Sequence, residues 1–238
     1  AGPMGSYAER VTLPAERVVP VPDELSDELA AGALLQGLTA HALIVDTFPV
    51  QAGQDVLVHA AAGGLGLLLV QMAAQRGARV IGTVSTEEKA KLAREAGAAE
   101  IINYTEVSDV AGAVRDLTGG AGVHVVYDGV GASTFDASLA SLRVRGMLVL
   151  CGAASGPVPP VDPQRLNAAG SVYLTRPKVF DYVLTREELL DRAGAVYGAV
   201  ADGSLTVRIG GRSPLAEARR AHEDLEGRRT TGKLLLLP

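Results

Sequence analysis

The sequence predicts an α/β fold built on a doubly wound parallel sheet, and three observations carry that prediction. Short apolar runs recur between segments of helical periodicity. Those runs lack the in-and-out alternation of a half-exposed sheet, as strands covered on both faces do. One of them, Asp55-Val56-Leu57-Val58-His59, leads through Ala60–Gly66 directly into an apolar helical stretch.

In chain order, residues 7–22 alternate apolar and polar around Pro14, Pro20 and Pro22, which predicts short strands joined by turns. Ser26-Asp27-Glu28-Leu29 opens a capped helix, and residues 34–47 read as a largely apolar helical segment. Strands are expected at 56–60, 79–84, 100–103, 123–127, 147–151 and 171–175. Helices are expected at 65–76, 86–96, 107–117, 132–142 and 186–201. Repeated strand–helix units with short connections imply parallel pairing. Residues 152–163, rich in Gly and Pro, form a loop after the fifth strand. The tail reads as a strand at 207–211, an amphipathic helix at 214–226 and a closing strand at 232–238.

Composition narrows the function. Of 238 residues, 47% are hydrophobic, enough for a sizeable core. A net charge of −5 without basic blocks argues against nucleic acid or an anionic membrane as partner. No apolar run is read as reaching transmembrane length and no signal peptide is read; with a single cysteine, a reducing, cytoplasmic location is expected. Cys151 is the single cysteine, which excludes an internal disulfide and a multi-cysteine zinc lobe. His41, His59, His124 and His222 show no ligand spacing, and no metal is expected. The chain opens on Ala1 instead of methionine and is read as processed, tagged or cut from a longer one.

The glycine turn carries the chemistry. Its pattern is Ala61-x-Gly63-x-x-Gly66, with Ala61 where the first glycine of a dinucleotide fingerprint usually stands. Gly63 lets backbone approach a phosphate, and Gly66 lets the helix pack close on the strand. Backbone N–H groups and a helix dipole then meet at one spot, which suits a pyrophosphate. The plainer alternative is a packing turn between strand and helix. About twenty residues on, an NAD site carries an acid for the ribose hydroxyls. Here stand Ser85 and Thr86, with Lys89 one helical turn further, a set suited to the 2′-phosphate of NADPH. An N-cap beside a solvated lysine reads the same way. Tyr104, after the third strand, either flanks the adenosine end or simply ends a strand. Gly129-Val130-Gly131 and Cys151-Gly152-Ala153-Ala154 follow the fourth and fifth strands, where ligands gather in open α/β sheets, unless they are only tight turns. Asp128 is read as a turn aspartate and Cys151 as a small buried residue in preference to a nucleophile.

Laid out together, these residues resemble the zinc-free, zeta-crystallin-like NADPH:quinone oxidoreductases of the medium-chain dehydrogenase/reductase superfamily. The carriers are Leu35-Gln36-Gly37-Leu38-Thr39-Ala40, His59 through Gly66, Ile81 through Lys89, Asn103-Tyr104, Val126 through Gly131, Thr175-Arg176-Pro177 and Arg228 through Lys233. The resemblance implies a Rossmann domain over 31–206, with 1–30 and 207–238 as remnants of a GroES-like β domain. It implies that Ser85, Thr86, Lys89 and Tyr104 hold the 2′-phosphate and that Gly64 and Leu65 face the pyrophosphate beside Gly63. Thr39, Val130, Cys151, Ala154 and Arg228 match positions near the rest of the cofactor. It further implies hydride transfer to a quinone or enone, governed by positioning rather than by side-chain acid–base chemistry, in a homodimer.

About the first third of such a protein has no counterpart here, so the expectation is NADPH binding with impaired quinone reduction. Two other readings stay open: a non-catalytic NADPH-binding or dimerisation scaffold, and an enoyl reductase of the same superfamily. A methyltransferase fits poorly, because Ser85 stands where its cofactor's ribose wants an acid.

Overall fold

A computed structural model describes residues 5–227 and 229–238. The predicted sheet is present. Six strands, β1 (Asp55–Val58), β2 (Arg79–Val84), β3 (Glu100–Asn103), β4 (Val123–Asp128), β5 (Leu142–Leu150) and β6 (Tyr173–Thr175), form one sheet in the order β3-β2-β1-β4-β5-β6. Every neighbouring pair is parallel. The order reverses between β1 and β4, the switch point where such sheets take ligands at their carboxyl ends. Between and beyond the strands run α1 (Asp27–Ala42), α2 (Gly64–Gln75), α3 (Glu87–Glu95), α4 (Val110–Leu117), α5 (Phe135–Ser141), α6 (Gln164–Ala168), α7 (Arg186–Ala201) and α8 (Ala218–Glu226). The tail adds β7 (Ile209–Pro214) and β8 (Lys233–Leu237), paired parallel as a separate two-stranded sheet.

The chain divides into two compact units. One comprises residues 43–62 and 69–177 and holds the six-stranded sheet. Val56, Leu57 and Val58 on β1 and Val125, Val126 and Tyr127 on β4 are fully buried, which explains why these strands show no alternation. Leu57, Ile81, Val126 and Leu148 belong to one apolar cluster with Phe135 and Leu139 of α5. Each such side chain stabilises the fold by about 1.5–3 kcal/mol. After α1 the backbone widens into a π turn at Leu43–Thr47, and the buried Tyr127 hydroxyl donates to the Leu43 carbonyl at 3.1 Å.

The other unit comprises the described residues up to 42, residues 63–68 and the described residues from 178 on. α1 packs on α7 through Ala30, Ala33, Val196 and Tyr197. Gly37 lets the helices close, since a β-carbon there would collide with Val196. α7 starts with a reciprocal cap: the Thr185 hydroxyl accepts from Glu188 N–H at 3.1 Å, and the Glu188 carboxylate accepts from Thr185 N–H at 2.9 Å.

Four expectations need correction. Residues 7–22 form no strand; they hold a single 3₁₀ turn at Ala15–Arg17, since alternation makes a strand only where a partner edge exists and three prolines each remove a ladder donor. The helix expected at 34–47 starts earlier, at Asp27, and ends in the π turn. β5 begins at Leu142, five residues ahead of the expectation: Leu142 pairs with Val123, the register then shifts, and Met147 pairs with Val125, so the extra residues bulge out of β5. The segment Asp27–Thr47 is, by length and composition, apolar enough to cross a membrane, with half of its most apolar window buried in the protein. Its apolar character serves the packing of α1 on α7.

Candidate functional site

Four of the nominated residues gather at the carboxyl ends of β2 and β3. Ser85 follows β2 directly, and Thr86 caps α3 by accepting the Lys89 N–H at 3.2 Å. That cap sets the first turn of α3 so that the Lys89 ammonium comes back to the Ser85 hydroxyl at 3.3 Å. Tyr104 N–H donates to the Val84 carbonyl at 3.0 Å, which holds its backbone beside the same strand end, and the residue is exposed. Glu87, in the first turn of α3, is engaged by Arg94 at 2.6 Å.

A second group gathers at the ends of β4 and β5. Cys151 N–H donates to the Asp128 carbonyl at 2.8 Å, Ala154 N–H to the Gly129 carbonyl at 3.2 Å, and Ser155 N–H to the Val130 carbonyl at 2.8 Å. These bonds lace the two loops into one surface that carries Val130, Cys151 and Ala154. Gly131 has φ +92°, and a β-carbon on it would lie 2.7 Å from the Gly156 carbonyl. Burial pushes the Cys151 thiol up to about 12, with the charge of Asp128 adding to the shift, so a thiolate is not available near neutral pH.

β1 lies between the strands that lead to these two groups and runs into the glycine turn. Ala60 adopts φ +51°, the left-handed bend at which the chain leaves the sheet. The glycine missing at position 61 is supplied from β2: the methyl group of Ala61 lies 2.8 Å from where a β-carbon on Gly82 would stand. α2 then starts at Gly64, with the Gln36 amide oxygen 2.5 Å from the place a Gly64 β-carbon would take. Gly63 bridges to Gly232. Leu65 is on the first turn of α2, and Thr39 is on α1 with its hydroxyl turned back to the Leu35 carbonyl at 2.7 Å. Arg228 lies outside the described residues.

Asp128 is a turn aspartate, as expected, and does more. Fully buried, it accepts N–H bonds from Val130 at 2.8 Å and Gly131 at 3.0 Å, and hydroxyl bonds from Thr134 and Ser138 at 2.8 and 2.7 Å. Sequence reasoning passed over His59, Thr83 and Ser138, which join this carboxylate in a buried chain. The available signal was a histidine placed between a buried strand and a glycine turn. No cluster of three His, Cys, Asp or Glu side chains able to hold a metal occurs among the described residues.

Residues 64–189 match the family model described as zinc-binding dehydrogenase. A quinone oxidoreductase of Pseudomonas aeruginosa is 45% identical over 237 residues, covering 100% of this chain and 73% of its own length. A 2-haloacrylate reductase of a Burkholderia species is 43% identical, covering 99% of this chain and 72% of its own. Among solved structures, a mycobacterial protein complexed with NADPH is 60% identical with a TM-score of 0.95, covering 98% of this chain and 72% of its own. The NADPH complex of Escherichia coli quinone oxidoreductase is 41% identical, also with a TM-score of 0.95 and the same coverage.

Proposed function

Because the chain belongs to the quinone oxidoreductase family, we propose that it binds NADPH and passes its hydride to a quinone or a related enone in the cytoplasm. The observation that carries this reading is the Lys89 ammonium 3.3 Å from the Ser85 hydroxyl, where an acid would select NADH. A cation and a hydroxyl there suit a 2′-phosphate dianion and would meet only a neutral hydroxyl in NADH.

Thr86 and Tyr104 complete that subsite. Gly63, Gly64 and Leu65 place backbone N–H groups at the start of α2, where the helix dipole favours a pyrophosphate. Val130, Cys151 and Ala154 would border the nicotinamide half, and Thr39 and Arg228 are assigned from the resemblance alone. Bound NADPH would supply the hydride; the chain's own part is to hold, orient and shield it. No side chain is assigned an acid–base role. Residues 31–206 would serve as the cofactor domain, with 1–30 and 207–238 belonging to a GroES-like part. A second copy would pair along β6, where Tyr173 is 58% exposed.

The relative named as a 2-haloacrylate reductase makes activated alkenes the second acceptor class to assay. The test is a fluorescence titration with NADPH and NADH, beside loss of cofactor absorbance with 1,4-benzoquinone. Tight NADPH binding, weaker NADH binding and slow quinone-dependent turnover are expected. Equal affinity for the two nucleotides would overturn the cofactor assignment.

A further inference from the structure

His59 is 5% exposed and sits where β1 ends and the turn begins. Its Nε2 is 3.0 Å from the Ser138 hydroxyl and its Nδ1 is 3.0 Å from the Thr83 hydroxyl. Thr83, Ser138 and Asp128 are each at most 1% exposed, so these groups satisfy one another without bulk water.

Proton counting fixes the direction of the chain. The Asp128 carboxylate can only accept, so Ser138 spends its one hydroxyl proton on it at 2.7 Å. Ser138 Oγ must therefore accept from His59, which puts the ring proton on Nε2. The neutral ring then offers the Nδ1 lone pair, and Thr83 donates its own hydroxyl proton there. Thr83 Oγ1 is left to accept the Ala60 N–H at 3.3 Å. Every donor in the sequence Ala60, Thr83, His59, Ser138 points toward Asp128.

The ends of this chain matter. At one end are Ala60, the left-handed bend before the glycine turn, and Thr83, two residues ahead of Ser85. At the other is the carboxylate that holds the N–H groups of Val130 and Gly131. We propose that His59 is a positioning residue for the cofactor: through Ser138 and Asp128 it fixes the Val130–Gly131 turn in register with the ends of β1 and β2. This rests on the reading of Val130 as bordering the nicotinamide half.

The test compares NADPH with adenosine 2′,5′-bisphosphate, which carries the phosphate-bearing end and no nicotinamide. Ser138→Ala keeps the imidazole and cuts the link; His59→Leu removes both bonds; His59→Gln keeps one N–H donor. Ser138→Ala and His59→Leu are expected to weaken NADPH about tenfold, the scale of one buried hydrogen bond, with bisphosphate affinity changed less than about twofold. His59→Gln should fall between. Nitrogen-15 NMR of the unaltered chain should show Nε2 protonated and Nδ1 bare. NADPH affinity unchanged in Ser138→Ala, equal weakening of both ligands, or a protonated Nδ1 would overturn the proposal. Should His59→Leu not fold, Ser138→Ala decides alone. Failure of the unaltered chain to bind NADPH would instead sink the parent reading, and the tautomer would still be read independently.

Discussion

Gly152 lies so close to Gly129 that a β-carbon on the first would occupy the space of the second's carbonyl oxygen. The loops after β4 and β5 thus touch backbone to backbone, and neither can move aside without the strand behind it. Gly152→Ala is expected to lower unfolding free energy by about 1–3 kcal/mol, read as a lower urea midpoint with unchanged slope. Gly64→Ala makes the contrast. The atom it would meet is the end of the flexible Gln36 side chain, so its stability cost should stay under about 1 kcal/mol. Its effect should fall on NADPH affinity.

Lys89 governs the choice of nucleotide. Lys89→Ala should weaken NADPH about ten- to a hundredfold, the scale of one charge-assisted bond, and leave NADH within about twofold. Ser85→Asp should act more strongly, since it sets a carboxylate against the 2′-phosphate and offers one to the ribose of NADH. Parallel titrations with both nucleotides check each variant.

Acid should loosen the sheet before the carboxylates titrate. Burial holds His59 below the ordinary imidazole value of 6.5, against the pull of Asp128. His124 is lowered too, by burial and then by the charge of Arg143. With folded values below the unfolded one, the unfolded chain takes up protons first as pH falls. The stabilisation is full above about 6.5 and is lost as pH drops toward the folded values. Urea midpoints at pH 7.5 and 5.5 should show the decline, and His59→Gln should make it shallower.

Cys151 should resist alkylation. With its thiol pushed up to about 12, iodoacetamide at pH 7.5 should label the folded chain far more slowly than the chain in denaturant. Cys151→Ala should keep NADPH affinity within about threefold, as a bordering rather than a reacting side chain.

What was legible in the sequence was what is local. Ser85, Thr86 and Lys89 lie within one turn, so their meeting follows from a helix start. β1, β2 and β4 announced themselves as short apolar runs without alternation, and nearly all of their residues are buried. The His59–Ser138 contact spans 79 positions, and no periodicity predicts it. Ala61 looked like a defect in the glycine pattern until β2 placed Gly82 across from it. α6 escaped notice because five residues behind Pro163 are too few to show a period. The strands expected at 7–22 failed for the opposite reason, since alternation was present and a pairing edge was not.

The unit built on α1 is discontinuous, and this shapes how the chain is made. The surface that covers Ala30 and Ala33 belongs to α7, which starts 159 residues after the start of α1. During synthesis the six strands of the large sheet emerge while α1 still has no mate. Its apolar face must wait, open to chaperones or to misplaced neighbours, until residues beyond 186 leave the ribosome.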